Sequence, residues 1–279
     1  MKIGIRGMGL IGGSFEKAFL AAGHDVVNLK TSSQLSIDDC QLSSIGDCQS
    51  TDKRSSTIGD CQLIIVCLPP LMVAPWVKEH ADDFAEGAVV VDAAGVKSVV
   101  CAALAETAKG RGWTFVGGHP MAGKERSGYA NSDAGLFKGA SMIFTPFPET
   151  DASVVDGLRK TFSEIGFARF VVTDPRRHDE MIAYTSQLAH VVSSAYVRDE
   201  LSRSHLGFSA GSFQDMTRVA TVDPDIWTDL FLANRESLDA VLTRLIGRLG
   251  AYRDSIRSAD AVRLRALLAD GRAAKETSH

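Results

Sequence analysis

The sequence lacks any apolar run near the roughly 20 residues that a membrane-spanning helix needs. It also has no basic arm, basic helix or arginine-rich tract, and its 30 lysines and arginines are outnumbered by 34 acidic residues, for a formal net charge of −4. These absences argue against a membrane protein and against a nucleic-acid partner. We therefore expect a cytoplasmic protein.

Cysteine is also sparse. The five cysteines form an odd set without Cys-x-x-Cys spacing, which indicates neither a disulfide framework nor a zinc site. Three of them, Cys40, Cys48 and Cys61, lie in short Asp-Cys-Gln repeats. Asp-Cys units can ligate a metal in principle, but this polar segment, rich in serine and threonine, is more typical of a variable connection between strands. We predict no metal site.

The first informative motif of the sequence begins at the second residue. The short segment at residues 2–6, with the β-branched Ile3 and Ile5, leads directly into a Gly-x-Gly-x-x-Gly motif. This order predicts a strand, a tight turn and a helix whose N-terminus binds the pyrophosphate of a dinucleotide. The first glycine permits the turn, the second admits the pyrophosphate, and the third allows close packing of helix on strand. The predicted cofactor contacts in this turn are Gly7, Gly9, Leu10, Ile11 and Gly12.

Strand-like and helix-like segments alternate after the motif, as the 45% hydrophobic content of a 279-residue chain allows. Further strands are predicted at residues 26–29, 63–68, 88–94, 114–118, 141–146 and 168–173. This alternation predicts a Rossmann-type, doubly wound parallel sheet, whose ligands bind at the carboxyl ends of the strands. The candidate cofactor contacts at those ends are Lys30, Thr31, Ser32, Leu68, Pro69 and Gly95.

The pattern changes after Asp174. From Pro175 onwards the sequence is almost entirely helical in character, and the first helix is predicted to run from Pro175, a favourable first-turn residue, past Val197. We therefore predict an α/β protein with a dinucleotide-binding domain at residues 1–174 and an all-helical domain at residues 175–279.

Several motifs, in this order, resemble the prephenate dehydrogenase family, which includes the arogenate dehydrogenases of tyrosine biosynthesis. In the first half they are the glycine motif at residues 7–14 and the segment at residues 118–125. In the helical half they are the segments at residues 186–190 and 215–220. The resemblance extends from the first strand to about Asn234, and a linked set of motifs is more specific than any single one.

The resemblance implies an NAD(P)-dependent oxidative decarboxylation of prephenate or arogenate. Hydride leaves a carbon of the cyclohexadienol ring for the nicotinamide, the hydroxyl on that carbon loses its proton, and the ring carboxylate departs as carbon dioxide. Helical second domains of this family mediate dimerisation, so the resemblance also implies a homodimer in which the helix that starts at Pro175 is central.

The resemblance assigns roles to four side chains. His119 matches the catalytic histidine, and an imidazole with a pKa near 6.5 can accept a proton close to neutral pH. Arg218 matches the arginine that holds a substrate carboxylate, which suits its rigid guanidinium. Ser186 and His190 match positions on the substrate side. Without the resemblance, His190 would be interpreted as a packing histidine and Arg218 as a surface charge.

Two departures from the family pattern concern the catalytic and substrate motifs. The family commonly carries a serine that orients the catalytic histidine, and Gly95 stands at that position. This change puts the rate in doubt rather than the type of reaction. The usual Ser-His-Leu-Pro-His segment has Gln187 and Ala189 at its second and fourth positions, although its last histidine remains as His190.

A third departure concerns the cofactor. About twenty residues past the glycines, where NAD-binding folds place an acidic residue on the ribose 2′-hydroxyl, this chain has Lys30. We therefore favour NADP over NAD, although Lys30 could equally be a solvated lysine at a strand end. Arg6 is unexpected just before the first glycine, because a buried charge there needs a partner.

Two other interpretations remain open. One is a reductase of the β-hydroxyacid dehydrogenase or imine reductase type, which would use a catalytic lysine on its helical domain. The other is a cofactor-binding regulatory protein without catalysis, supported only by Gly95 and the Asp-Cys repeats. The segment His119-Pro120-Met121 argues against the first, and the retained histidines and arginine argue against the second.

Overall fold

The computed structural model describes residues 1–29, 58–124 and 126–277. The first part of the chain forms a seven-stranded sheet in the order β2-β1-β3-β4-β5-β6-β7. The strands are β1 (Lys2–Arg6), β2 (Asp25–Asn28), β3 (Leu63–Val66), β4 (Val89–Asp92), β5 (Thr114–Met121), β6 (Ser141–Pro146) and β7 (Arg169–Val172).

The sheet is mostly parallel, as predicted. Strands β1 to β5 run in one direction, whereas β6 pairs with β5 in the antiparallel sense and β7 is parallel to β6. A parallel neighbour needs a crossover, usually a helix. The described part of the β5–β6 connection holds only a 3₁₀ turn at Tyr129–Asn131, so β6 returns along β5. This pairing extends β5 three residues beyond its predicted end, and His119 lies within the strand opposite Ile143.

Four helices cover the two faces of the sheet. They are α1 (Leu10–Ala21), α2 (Pro70–Glu79), α3 (Ser98–Ala108) and α4 (Ala152–Ser163). Each face has its own apolar core, one with Val73, Val77 and Leu104 on α2 and α3, and the other with Phe15 and Phe162 on α1 and α4. All four residues of β3 are buried because helices pack on both sides of it, which is typical of a parallel central strand.

The rest of the described chain is helical. Its helices are α5 (Pro175–Ile182), α6 (Leu188–Tyr196), α7 (Gly211–Thr217), α8 (Pro224–Ala233), α9 (Arg235–Arg257) and α10 (Ala261–Glu276). A π-helical segment at Ala183–Gln187 joins α5 to α6, so the chain is helical from Pro175 to Tyr196, with Val197 as the C-cap. Asp174 begins this stretch by accepting a hydrogen bond from the Arg177 amide at 2.9 Å.

Within the described residues, no helix is both long and apolar enough to cross a membrane. The same residues contain no cluster of three or more His, Cys, Asp or Glu side chains that could hold a metal ion. Of the Asp-Cys repeats, the one at Cys61 is described, and Cys61 is buried, whereas Cys40 and Cys48 lie outside the described residues.

Candidate active site

The glycine turn lies at the carboxyl end of β1. Gly7 has a φ of +95°, and a Cβ on it would come within 2.3 Å of the Cys67 carbonyl oxygen. A Cβ on Gly12 would come within 1.8 Å of the Gly7 carbonyl oxygen, so α1 can pack this closely only without a side chain there. A Cβ on Gly9, the N-cap of α1, would meet nothing within 4 Å. This open position beside the first helical amides fits the pyrophosphate of a dinucleotide.

The other predicted cofactor contacts divide into two groups. Leu10 and Ile11 form the first turn of α1, and Leu68 and Pro69 follow β3 directly, with Pro69 as the N-cap of α2. Because β2 lies on one side of β1 and β3 on the other, these segments flank the point where the strand order reverses. Ligands of open α/β sheets bind in that crevice. The remaining predicted contacts Lys30, Thr31 and Ser32 lie outside the described residues.

A buried ion pair lies at the carboxyl end of β4. The Lys97 side chain is completely buried and its ammonium group contacts the Asp92 carboxylate. The ammonium also donates to the Gly118 carbonyl at 2.7 Å, and Asp92 accepts from the Gly118 amide at 3.1 Å. These bonds fix the backbone of β5 at the residue before His119.

His119 belongs to a hydrogen-bonded chain that reaches the helical half of the molecule. Its Nδ1 lies 2.9 Å from Nε2 of His178 on α5, and Nδ1 of His178 lies 2.7 Å from Oδ1 of Asp179. Asp179 also accepts from the amides of Lys97 at 2.7 Å and of Ser98 at 2.8 Å. Both His178 and Asp179 are only 2% exposed. The chain therefore crosses the junction between the sheet and the helices in a buried environment.

The Asp179 carboxylate at the end of this hydrogen-bonded chain determines which ring nitrogen carries the proton in His178 and in His119. Burial alone would raise the pKa of Asp179, but hydrogen bonds from His178, Ser98 and the Lys97 amide hold that pKa below its usual value. An ionised carboxylate only accepts hydrogen bonds, so His178 donates through Nδ1 and accepts through Nε2. His119 then donates through Nδ1. Its Nε2 is left as an unprotonated acceptor, the form that a general base requires.

The surroundings of His119 favour its neutral form. Burial lowers its pKa well below 6.5, and the neighbouring His178 and Lys97 act in the same direction, whereas Asp179 opposes them. A neutral imidazole is the form that can accept a proton from a substrate.

Gly95 lies directly beside this nitrogen. A Cβ on Gly95 would lie 3.8 Å from Nε2 of His119 and 3.3 Å from a methyl group of Leu230 on α8. Gly95, a predicted cofactor contact, and His119, the predicted catalytic histidine, are therefore neighbours. Leu230 covers the position from the helical side, so the helical half supplies an apolar wall to the crevice.

A second polar cluster leads from Leu230 to the predicted substrate residues. The Gln187 side chain donates to the Leu230 carbonyl at 3.2 Å and accepts from Asn234 at 2.8 Å, and Asn234 also donates to the Asp179 carbonyl at 2.9 Å. Gln187, one of the departures noted above, is only 2% exposed. Its neighbour Ser186 lies in the π-helical segment, a geometry that is frequent at functional sites.

The structure also brings together two other predicted substrate residues. His190 on α6 has its Nδ1 2.8 Å from the Val219 carbonyl, in the 3₁₀ turn that starts at Arg218. The carbonyl can only accept, so His190 donates there. Its ring also packs on Trp227, with centroids 3.8 Å apart. The Arg218 side chain is exposed.

Sequence reasoning missed the roles of His178, Asp179 and Leu230. The sequence His178-Asp179 offers a local signal, because a histidine beside a carboxylate is a common proton-relay pair, but nothing local connects it to His119. A cavity of about 1320 Å³ lies between α3, α5 and α9 and is lined by Asp179 but by none of the predicted site residues. The candidate active site is instead the crevice at His119, which lies beside Gly95.

A glycine turn fitted to a pyrophosphate, a crevice at the strand ends and a neutral histidine at the junction define a two-domain dehydrogenase that binds a nicotinamide dinucleotide. Comparison with known protein families shows to which family of dehydrogenases the chain belongs. Residues 21–172 match the prephenate dehydrogenase nucleotide-binding domain, and residues 174–270 match the prephenate dehydrogenase dimerization domain. The chain belongs to the prephenate dehydrogenase family.

Individual relatives agree with this assignment. The chain is 31% identical to a cyclohexadienyl dehydrogenase of Zymomonas mobilis over 265 residues, which cover 92% of this chain and 89% of the relative. It is 27% identical to a prephenate dehydrogenase of Bacillus subtilis over 267 residues, which cover 93% of this chain and 71% of that protein.

Two crystal structures share the fold. Arogenate dehydrogenase of Synechocystis superposes with a TM-score of 0.79 at 23% identity, covering 100% of both chains. Prephenate dehydrogenase of Aquifex aeolicus, in complex with hydroxyphenyl propionate and NAD⁺, gives a TM-score of 0.77 at 24% identity, covering 99% of this chain and 97% of that chain. At these identities the likeness concerns the fold.

We predict that His119 titrates well below pH 6.5 and carries its proton on Nδ1 when neutral. Nitrogen-15 NMR of the histidine rings, with the His119 signals assigned by their loss in His119→Gln, measures both properties. Since an unfolded histidine has a pKa of about 6.5, below that pH the unfolded chain binds a proton that the folded chain does not. Stability should therefore fall as pH falls through this range, and should fall less in His119→Gln. A midpoint at or above 6.5, or a neutral ring protonated on Nε2, would contradict the assigned chain.

Proposed function

We propose that this chain carries out the oxidative decarboxylation of prephenate or arogenate with His119 as its general base. The observation that carries the proposal is the buried chain His119–His178–Asp179, which leaves Nε2 of His119 neutral and unprotonated beside Gly95. The reaction needs a base for the hydroxyl proton at the carbon that loses hydride. Such a base contributes about 10²- to 10⁴-fold in rate.

The mechanism assigns one task to each part of the crevice. A bound nicotinamide dinucleotide would supply the hydride acceptor, held by the glycine turn, by Leu68 and Pro69, and beside Gly95. Nε2 of His119 takes the hydroxyl proton of the substrate. The imidazolium that forms is stabilised through His178 by the Asp179 carboxylate, as in other carboxylate-oriented histidines. Leu230 helps to exclude water from this end of the crevice.

The helical half supplies the groups for an anionic substrate. We assign Arg218 to a substrate carboxylate, because a guanidinium binds a carboxylate through two parallel hydrogen bonds. His190, tied to the Arg218 turn through the Val219 carbonyl, presents its Nε2 as a further polar contact, and Ser186 contributes a hydroxyl. The division between a cofactor domain at 1–174 and a substrate domain at 175–279 follows from these roles.

Two further features belong to the proposal. We infer a preference for NADP, because Lys30, Thr31 and Ser32 occupy the positions at which an NAD-binding fold carries an acidic residue.

We also infer a homodimer formed through the helical region. Phe208 is 94% exposed and Leu206 is 82% exposed, and exposed apolar groups on one domain are typical of an interface. We expect the helical stretch from α5 to α6 to be central to it. Light scattering should give twice the chain mass, and a monomeric mass would contradict the dimer.

Steady-state formation of reduced nicotinamide should be measured with prephenate and with arogenate, each with NAD and with NADP. We expect turnover with at least one substrate and a higher kcat/KM with NADP. In His119→Asn, kcat should fall by at least about 100-fold because the base is lost, while dinucleotide binding, followed by fluorescence, should not change.

His80→Asn is the matched control, because it removes a histidine on the far end of α2 and should leave kcat unaltered. If the wild-type protein binds a dinucleotide but turns over none of the four pairs, the regulatory interpretation would replace this one. Retention of most of the activity in His119→Asn would exclude His119 as the base.

Two substitutions of His178 test the hydrogen-bonded chain itself. His178→Leu removes the acceptor for Nδ1 of His119 and should lower kcat by about 100-fold, the scale expected when a reacting group is misplaced. His178→Gln keeps an oxygen acceptor and should recover part of that loss. The KM for the dinucleotide should stay constant in both, with unfolding in urea as a check on folding. Equal losses in both variants, or a parallel rise in that KM, would point to a purely structural role.

A further inference from the structure

Asn234 lies at the junction of two helices, as the C-cap of α8 and the N-cap of α9. Asparagine is a preferred N-cap residue because its side chain can accept a hydrogen bond from one of the first helical amides. Asp223 and Asp260 do this at the starts of α8 and α10. Within the part of the chain that the structure describes, the Asn234 side chain makes no such bond to α9. The start of α9 therefore does not explain why an asparagine occupies this position.

The Asn234 side chain reaches two other segments of the helical half instead. Its Nδ2 donates to the Asp179 carbonyl on α5 at 2.9 Å and to Oε1 of Gln187 at 2.8 Å. Nε2 of Gln187 in turn donates to the Leu230 carbonyl at 3.2 Å. A backbone carbonyl can only accept, so the carbonyls of Asp179 and Leu230 determine the orientation of both side-chain amides. Asn234 and Gln187 are both buried, and buried hydrogen bonds are costly to lose because their groups stay unpaired.

These bonds span the π-helical segment Ala183–Gln187. The Asp179 carbonyl lies before the segment and already accepts from the Ala183 amide, so Asn234 occupies its second lone pair. Gln187 is the last residue of the segment. A π-helical turn departs from the regular hydrogen-bond register of an α-helix, so the orientation of α5 relative to α6 depends on contacts from outside the segment. Asn234 supplies such contacts at both ends.

The orientation of α5 matters because the side chain of Asp179 leads to the crevice. Its carboxylate accepts from the first amides of α3 and from His178, and His178 accepts from Nδ1 of His119. Asn234 thus holds the backbone of the residue whose side chain orders the two histidines. A rotation of α5 would move the carboxylate away from the α3 amides, and His119 would lose its orientation.

We propose that Asn234 is a positioning residue for His119, because it fixes the backbone of Asp179 and thereby keeps His178 in its hydrogen bond to His119. The proposal rests on the function of His119 proposed above. It also explains an asparagine at a helix start that its side chain does not cap. Since Asn234 acts through Asp179, its loss should alter the orientation of His119 and the value of kcat, and should not alter dinucleotide binding.

Asn234→Leu keeps the approximate volume of the side chain and removes both donated hydrogen bonds. The direct reporter is the Nδ1 proton of His119, assigned in NMR spectra by its loss in His119→Gln. A buried proton bonded to His178 exchanges slowly with water, and in Asn234→Leu its exchange should be at least about 10-fold faster because the bond opens more often. The value of kcat should fall by about 10-fold, the scale of one hydrogen bond of ordinary net strength. The KM for the dinucleotide should not change.

Val241→Ala is the matched control for a loss of stability alone. Val241 lies on α9 in the same apolar cluster as Ala183 and Leu188. Its truncation weakens the packing of α9 and leaves the hydrogen bonds of Asn234 in place. Both variants should unfold at lower urea concentrations than the wild-type protein, whereas the exchange of the His119 proton and kcat should change only in Asn234→Leu.

The possible results separate this proposal from the function on which it rests. If Asn234→Leu leaves proton exchange and kcat as they are in Val241→Ala, Asn234 contributes only to stability and the proposal fails. If the exchange responds as expected but the wild-type protein turns over neither substrate, the positioning role stands and the role of His119 as the base fails. If the wild-type protein shows no slowly exchanging Nδ1 proton at His119, both fail.

Discussion

The Asp179 carboxylate is the group on which the arrangement of the site depends. It is buried, ionised and shared between the N-terminus of α3 and the ring of His178. A charge in such a place is tolerated only when several donors surround it, because desolvation of an unpaired carboxylate is far more unfavourable than any single bond is favourable. The first amides of a helix are suitable donors, since they have no partner within the helix and lie at its positive end. One carboxylate thereby joins the two halves of the chain and orders the ring of His119 through His178.

Lys97 connects this carboxylate to a second buried charge. Its backbone amide binds Asp179, whereas its side chain pairs with Asp92 and with the Gly118 carbonyl. Asp92 in turn accepts from the amides of Ala94 and Gly118. Lys97 thus ties together the end of β4, the strand that carries His119 and the middle of α5. Removal of one member of such a network leaves the others buried without compensation, which is why the geometry of the crevice is stiff.

The parts of this structure that local sequence determines were predictable. The glycine turn, the apolar strand at Leu63–Val66 and the first-turn proline at Pro175 each carry their own signal, because sterics and burial act over a few residues. His119 was predicted from its motif. Its partner His178 was not, since the two residues are 59 positions apart and only the packing of α5 on α3 brings them together. The π-helical segment around Ser186 and the reversal of β6 were missed for a similar reason, because neighbouring elements rather than local composition decide them.

The hydrogen-bonded chain also determines what effect a glycine at position 95, in place of a serine, has on His119. A serine at that position would bring a hydroxyl close to Nε2 of His119, since a Cβ there lies 3.8 Å from that nitrogen. A hydroxyl that donates to Nε2 orients the ring, but it also occupies the lone pair that accepts the substrate proton in the proposed mechanism. In this chain the ring is already held at Nδ1 by His178, whose own orientation is determined by Asp179. Orientation through Nδ1 leaves Nε2 available, so the glycine removes one of two restraints on the ring and keeps the proposed base.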